Sequence, residues 1–378
     1  MLIRYGTDSK GRPIKKAVVY TRNEHKIQKS QIDYDAISII VRLKDAGFHS
    51  YIVGGAVRDL ICGNIPKDFD IVTDATPSRI KRLFRNSRII GRRFRIVHVI
   101  FGSKIFEVST FRSNADGTSI GNEFGNMDED VQRRDFTINA LYYDPLHEQV
   151  IDYVGGVRDI KKHILRSIIP LDKIFVEDPV RMLRAIKYSA KTGAKISFAL
   201  RHKIRHSAHL LSQISPSRLT EEFLKILNSG CSSEIVADAL DTDLYMALQP
   251  AATSLIYDDK NFEASYMQNL GNLDRLCKND SDARLGKKLV FIIRDFVASL
   301  TDWKKEINSK TAYSELYART WTECRKFVLP INPQRTELEY AIRFVLHEMG
   351  INGKPPKPKR CSSRQKQKHD KKDEKTSD

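Results

Sequence analysis

Residues 49–73 read HSYIVGGAVRDLICGNIPKDFDIVT, and this stretch decides the fold. A β-branched run, Tyr51-Ile52-Val53, meets Gly54-Gly55 and passes into Ala56-Val57-Arg58-Asp59-Leu60, so a strand turns sharply into a helical segment. Two glycines at such a turn let the backbone approach a ligand closely, and the start of a helix directs free N–H groups toward it. Arg58 adds a forked donor suited to phosphate. The competing reading is a purely structural turn, and the spacing is neither a Walker A loop nor GxGxxG. Fourteen residues beyond Gly54 comes Asp68-Phe69-Asp70. On a strand, positions i and i+2 project from one face, so the two carboxylates point together and repel unless a cation sits between them. Two Asp with few other ligands suit Mg²⁺ better than zinc. A solvated turn is the bland alternative, and Phe69 facing a core between two outward acids fits both.

Further along, RIVHVIF and KIFEVST are joined by Gly102-Ser103, a two-residue turn of the kind that closes hairpins. Residues 33–150 therefore read as α/β with a mixed sheet. From Phe175 to about Met349 the apolar residues recur at helical spacing, as in RMLRAIKYSA and LEYAIRFVLHEM, and that half reads as all-helical. VGGVRDI at 154–160 nearly repeats VGGAVRDL at 53–60, which reads as coincidence or a shared turn geometry, because nothing around it repeats.

A chain of 378 residues predicts two or three domains. Hydrophobic residues at 41% and a mean hydropathy of −0.42 fit a soluble protein. No apolar run approaches the roughly 18 residues a membrane span needs, and the basic, polar start is unlike a signal peptide. Five dispersed cysteines without a CxxC suggest neither a disulfide framework nor a zinc site, which leaves the cytoplasm as the expected compartment. The net charge of +17 favours a polyanionic partner, nucleic acid or anionic lipid. Residues 1–30 and 351–378 carry +6 each, 12 of the 17, and the second of these reads as a disordered basic tail. Lys81, Arg82, Arg85, Arg88, Arg92, Arg93 and Arg95 form a further cationic segment with no acid among them, better suited to phosphate than to local pairing.

Two more motifs carry chemistry. In Gln132-Arg133-Arg134-Asp135-Phe136-Thr137-Ile138-Asn139-Ala140, Asp135 can complete a carboxylate trio and Arg134 can serve a triphosphate or a base. A helix cap with surface arginines is the alternative, and Glu107 on KIFEVST is the competing third acid. In Glu177-Asp178-Pro179-Val180-Arg181-Met182-Leu183-Arg184, Asp178 and Pro179 make a strong helix start. Asp178, Arg181, Arg184 and Tyr188 then run down one face. A carboxylate accepting from an exocyclic amine beside a guanidinium donating to a ring nitrogen selects adenine or cytosine and rejects uracil and guanine. His202, His206 and His209 share a helical segment with Arg201, Lys203 and Arg205, which reads as a basic surface rather than a metal site.

GGAVRD, DFD, EVSTFR, RRDFTINALYYD and EDPVRMLRAIKYSAKTG, in this order, resemble the class II nucleotidyltransferases, which comprise the tRNA CCA-adding enzymes and the bacterial poly(A) polymerases. The resemblance covers residues 33–230 closely and the rest loosely. It implies an α+β architecture: a basic arm (1–32), a polymerase-β-like catalytic head with a mixed sheet (33–168), a helical neck (169–230), a helical RNA-binding body (231–350) and the tail (351–378). Position by position, Asp68 and Asp70 match the metal-binding pair and Asp135 the third catalytic acid. Gly54, Gly55 and Arg58 match the triphosphate loop, Asp178 and Arg181 the protein-side template for the incoming base, and Arg134 and Arg184 nucleotide-contacting arginines. Pro216–Glu222 resembles the neck motif that braces the template helix. Ile90–Val99 is similar to the segment that typifies the poly(A) polymerases, whereas the stretch from Ser113 to Asp130 is shorter than in the best known of them. The expectation is transfer of AMP from ATP to RNA 3′ ends with two Mg²⁺ ions, serving RNA 3′-end processing or turnover. The alternatives are CCA addition to tRNA and a non-catalytic RNA-binding protein.

Overall fold

The computed structural model describes residues 2–7, 10–91, 95–113 and 124–353. The expected tail from residue 354 onward and Arg92, Arg93 and Phe94 of the cationic segment lie outside the described residues.

An antiparallel hairpin of β1 (Leu2–Thr7) and β2 (Pro13–Thr21) opens the chain. It is followed by a helical turn, α1 (Arg22–His25), and by α2 (Tyr34–Asp45), whose first turn is closed by Asp33 accepting from the Asp35 N–H. Next come β3 (Ser50–Val53), α3 (Gly55–Ile61), β4 (Asp70–Thr73) and α4 (Pro77–Leu83). β5 (Ser87–Ile90), β6 (Ile96–Phe101) and β7 (Lys104–Thr110) follow, the last two joined by the expected hairpin at Gly102-Ser103. α5 (Met127–Gln132), a 3-10 turn at Thr137–Asn139, β8 (Leu141–Asp144), β9 (Gln149–Asp152) and α6 (Gly156–Lys161) complete the head.

The nine strands form one sheet in the order β1-β2-β9-β8-β3-β4-β7-β6-β5, antiparallel throughout except between β4 and β7. The mixed sheet expected from the sequence is therefore present. The expected arm over 1–32 is not separate from it: β2 pairs with β9, and Ala17 and Val19 are buried on the sheet. Every second residue of a strand faces the same side. One side packs Ile52, Ile71 and Val108 beneath Ile39 and Ile40 of α2, Val57 and Leu60 of α3 and Ile80 of α4. The other packs Val53, Val72 and Tyr142 against Met127 and Val131 of α5. Alternation places Asp70 with Val72 and Glu107 with Ser109 on this second side, where Val53, Asp70, Glu107 and Ser109 line an open cleft.

Beyond the head the chain is helical: α7 (Ile174–Glu177), α8 (Val180–Thr192), α9 (Phe198–Ser207), α10 (Pro216–Leu227) and α11 (Ser232–Asp241). They are followed by α12 (Tyr245–Leu248), α13 (Pro250–Asp258), α14 (Lys260–Asn279) and α15 (Leu285–Ser299). α16 (Trp303–Asn308), α17 (Tyr313–Phe327) and α18 (Arg335–Glu348) end the described chain. Besides helix, this half holds a two-residue parallel pairing of Ile164–Leu165 with Lys195–Ile196. A single apolar core runs through these helices and takes in Phe136 and Ile138 from the head, so RRDFTINA is anchored in both halves. No described helix is long and apolar enough to cross a membrane. His202 and His206 lie exposed on α9 with ring centroids 4.1 Å apart.

The two VGG stretches share a positive φ but not a turn geometry: Gly54 (φ 73°, ψ −126°) directly follows β3, whereas Gly155 (φ 84°, ψ 25°) stands beyond the end of β9 at Asp152, and each precedes a short helix. The two helices flank the turn Thr137–Asn139, with Arg58 Nη1 donating to Asn139 Oδ1 at 2.6 Å and Thr137 Oγ1 donating to Asp159 Oδ2 at 2.8 Å. A Cβ on Gly156 would run into the Thr137 carbonyl oxygen, a backbone atom that cannot swing aside. Gly156→Ala is therefore expected to cost about 2 kcal/mol of stability, the usual penalty of overpacking. An unchanged denaturant midpoint in that variant would remove the close-packing argument.

Candidate active site

A cleft of about 1040 Å³ opens between the sheet and the start of the helical half. Gly54, Gly55, Asp70, Arg134, Asp135, Asp178, Arg181 and Arg184 all line it, gathered from segments more than a hundred residues apart. Two of the expected site residues do not: Asp68 lies exposed just before β4, and Arg58 is buried beneath the cleft wall.

β4 ends on the cleft with Asp70. The parallel register that sets Ile71 beside Val108 sets Asp70 beside Glu107. Although Asp70 is open to the cleft, crowding by the surrounding protein and then repulsion from Glu107 and Asp68 push its carboxyl up to about 6. A carboxyl so disfavoured as an anion marks a place where positive charge is missing. The donors are all carboxylate oxygens, too few to enclose an ion, so phosphate oxygens and water could complete its shell. This donor set fits a hard divalent cation and does not fit zinc.

Asp135 lines the same cleft, so Glu107 and Asp135 are both placed as candidates for the third acid beside Asp70. Asp135 is 5% exposed; its Oδ1 accepts from the Phe136 N–H at 2.8 Å, and its Oδ2 pairs with Arg184 at 2.9 Å. Its carboxylate is thereby engaged by protein partners on both oxygens. Glu107 is the acid beside Asp70, because strand pairing rather than sequence spacing brings them together.

Arg58, too, is placed differently from the expectation. Its Nε and Nη2 donate to Asp59 Oδ1 at 2.9 and 2.7 Å, its Nη1 donates to Asn139, and its guanidinium lies over the Tyr188 ring, 5.1 Å from the centroid. At 2% exposure it supports the Gly54-Gly55 turn from behind rather than reaching a ligand. Because Arg58 occupies Asn139 Oδ1, the amide is oriented, and its buried Nδ2 has no protein partner at the cleft wall. A buried donor left open is costly unless something accepts from it. Asn139 is thus a candidate donor at the cleft wall that the sequence does not mark: an Asn in a short helical run carries no sign of which way it points.

Arg134 is held from two sides, donating to Asp130 Oδ2 at 2.8 Å and to the Tyr142 hydroxyl at 3.0 Å. Its charge is preserved because Tyr142 and Asp130 outweigh burial, which acts against it. At the far side of the cleft Asp178 caps α8, with Oδ1 accepting from the Val180 N–H at 3.1 Å and Oδ2 from Arg218 Nη2 at 2.6 Å. Arg181 donates to the Ile174 carbonyl at 3.1 Å and to Glu177 at 2.8 Å. Asp178 and Arg181 are therefore each steadied by a third group, and Arg218, from the segment expected to brace this helix, is the one that holds Asp178.

Comparison with known proteins identifies relatives of both halves of the chain. Residues 50–166 match the family described as "Poly A polymerase head domain", and residues 193–256 match "Probable RNA and SrmB- binding site of polymerase A". The chain is 37% identical over 336 residues to Poly(A) polymerase I of Salmonella typhi, covering 82% of this chain and 72% of that protein. It is 41% identical over 279 residues to Poly(A) polymerase I of Escherichia coli O6:H1, covering 69% and 60%. The fold also resembles the Bacillus stearothermophilus CCA-adding enzyme solved with CTP, with a TM-score of 0.55 and 24% identity over 83% of this chain and 82% of that one.

Proposed function

Because this chain belongs to the bacterial poly(A) polymerase family of the class II nucleotidyltransferases, we propose that it is a polynucleotide adenylyltransferase, adding AMP from ATP to RNA 3′ ends and releasing pyrophosphate. The observation that carries the reading is the joining, across one cleft, of a repelling carboxylate pair with a carboxylate and guanidinium at the end of α8. Binding RNA alone gives no reason to crowd acids beside a phosphate. The compartment this implies is the cytoplasm, and the role is RNA 3′-end processing or turnover.

Asp70 and Glu107, with Asp68 at the rim, are the residues we assign to hold divalent metal, Mg²⁺ by the hardness of the donors, and two ions by the number of acids. Bound there, the metal would lower the pKa of the RNA 3′ hydroxyl and neutralise charge on the α-phosphate and leaving group. In the reaction the RNA 3′ oxygen bonds to the α-phosphorus, the α–β phosphoryl bond breaks and the hydroxyl proton is lost. The Gly54-Gly55 turn brings backbone close to the triphosphate, made possible by the left-handed φ of Gly54. Asn139 Nδ2 offers one further donor to the nucleotide, and Arg134 adds a fixed positive charge. Asp178 accepts from the exocyclic amine of the base while Arg181 donates to its ring nitrogen. The exposed Lys81, Arg82, Arg85 and Arg88 supply sequence-independent attraction for RNA.

Supplying the four nucleotides singly with an unstructured RNA tests base choice. ATP is expected to extend the primer and UTP and GTP to fail. Asp178→Ala is expected to narrow the gap between ATP and UTP by about tenfold or more, since one well-placed pair is worth 1–3 kcal/mol. Equal use of all four nucleotides by the unaltered protein would sink the reading of α8 as base selector.

A further inference from the structure

Arg184, Tyr188 and Lys191 follow Asp178 and Arg181 along α8 at i, i+4 and i+7, so they stand one above another on a single face. Each meets a different group of the head. Arg184 pairs with Asp135 at 2.9 Å and donates to the Tyr188 hydroxyl at 3.2 Å. The Tyr188 ring takes Arg58 on its face at 5.1 Å and meets the Phe136 ring edge-on at 6.0 Å. Lys191 pairs with Asp59 Oδ2 at 2.8 Å, and Asp59 Oδ1 takes Arg58. Arg58 and Asp59 belong to α3, the helix that continues the Gly54-Gly55 turn. A continuous charged seam thus runs from the phosphate-side turn to the base-side helix, and nothing in the reaction as described above uses its lower end.

We propose that this seam sets nucleotide discrimination by fixing the distance between the base-contacting end of α8 and the phosphate-side turn, with Lys191 and Asp59 as positioning residues. The inference rests on reading α8 as the base selector and Gly54-Gly55 as the phosphate turn. Base and triphosphate are two ends of one molecule, and a nucleotide reacts only when both ends are seated together. A seam that holds the two walls at one separation makes a wrong base misplace its own α-phosphate. Letting the separation drift would admit the wrong base and weaken the hold on the right one.

Lys191 is the place to test this. Its side chain is 42% exposed, whereas Asp59 is 8% exposed and keeps both bonds from Arg58 when Lys191 is removed. Lys191→Met therefore frees α8 without orphaning a buried charge, and the fold is expected to persist.

The full chain carrying Lys191→Met or Lys191→Arg would be assayed with ATP and with CTP on unstructured RNA. Affinities for non-hydrolysable ATP and CTP analogues would be measured in parallel without RNA. In Lys191→Met, KM for ATP is expected to rise about tenfold, more than kcat falls, the scale on which misplacement acts. The preference for ATP over CTP shrinks in both assays, the thermal midpoint stays near that of the unaltered protein, and Lys191→Arg restores most of the loss. Unaltered KM and preference in Lys191→Met overturn the proposal. So does a loss that Lys191→Arg fails to rescue and that tracks a fallen midpoint, which would make the pair structural only. Should the unaltered protein add no AMP, the reading of function fails instead, and the analogue affinities still decide whether the seam sets discrimination.

Discussion

Asp70→Asn is expected to lower the rate of AMP transfer on the order of 10³-fold, a change comparable to removing one preorganised group that stabilises transition-state charge. The amide keeps the shape of the side chain and removes its charge, so what is lost is the attraction for cations. Asp70 is held in a setting that disfavours its anion, first by crowding from the surrounding protein and then by Glu107 and Asp68. A carboxyl with a raised pKa opposes folding once the pH exceeds its unfolded value, and the neutral amide relieves that opposition. The variant should therefore unfold at the same temperature as the unaltered protein or at a higher one, and it should still bind RNA. Activity within tenfold of normal would leave the carboxylate assignment without support. A fallen midpoint would contradict the electrostatic account of the site.

Glu107→Gln and Asp135→Asn are expected to part company. Glu107 stands beside Asp70 across a parallel strand pair, and its side chain is 52% exposed. Its loss should leave stability near normal and reduce kcat about 10²-fold, as for one electrostatic contact in a reacting site. Asp135 is buried, ion-paired with Arg184, and accepts from the Phe136 N–H. Its amide variant should keep activity within about tenfold of normal and lose about 2 kcal/mol of stability, the worth of hydrogen bonds to a charged partner. Kinetics and denaturant titration of the two variants give four numbers. If they fall the other way, with Asp135→Asn inactive and stable and Glu107→Gln active, Asp135 returns as the third acid.

What was legible in the sequence was what depends on near neighbours. The glycine pair after Tyr51-Ile52-Val53 needs a left-handed turn, and Gly54 adopts one. Phe69 faces the core, as two outward acids around an apolar residue require. Asp178-Pro179 starts a helix because each residue suits its own position there. What was not legible depends on partners distant in sequence. The parallel pairing of β4 with β7 sets Glu107 beside Asp70, and no spacing rule reports it. Arg58 carries a charge suited to phosphate, yet three-dimensional packing commits it to Asp59, Asn139 and Tyr188. The first two strands read as a basic arm because eight Lys or Arg stand against two acids in residues 1–30, and only Ala17 and Val19 of these strands reach the core.

The most direct test of the central claim, AMP transfer to RNA 3′ ends, is the length of the product. The protein would be given Mg²⁺ and ATP alone with an unstructured RNA, and separately ATP and CTP with a tRNA lacking its last three nucleotides. A long ladder on the unstructured RNA with ATP alone is the predicted result. Extension confined to the tRNA and stopping after three nucleotides would contradict it and assign the same cleft to CCA addition.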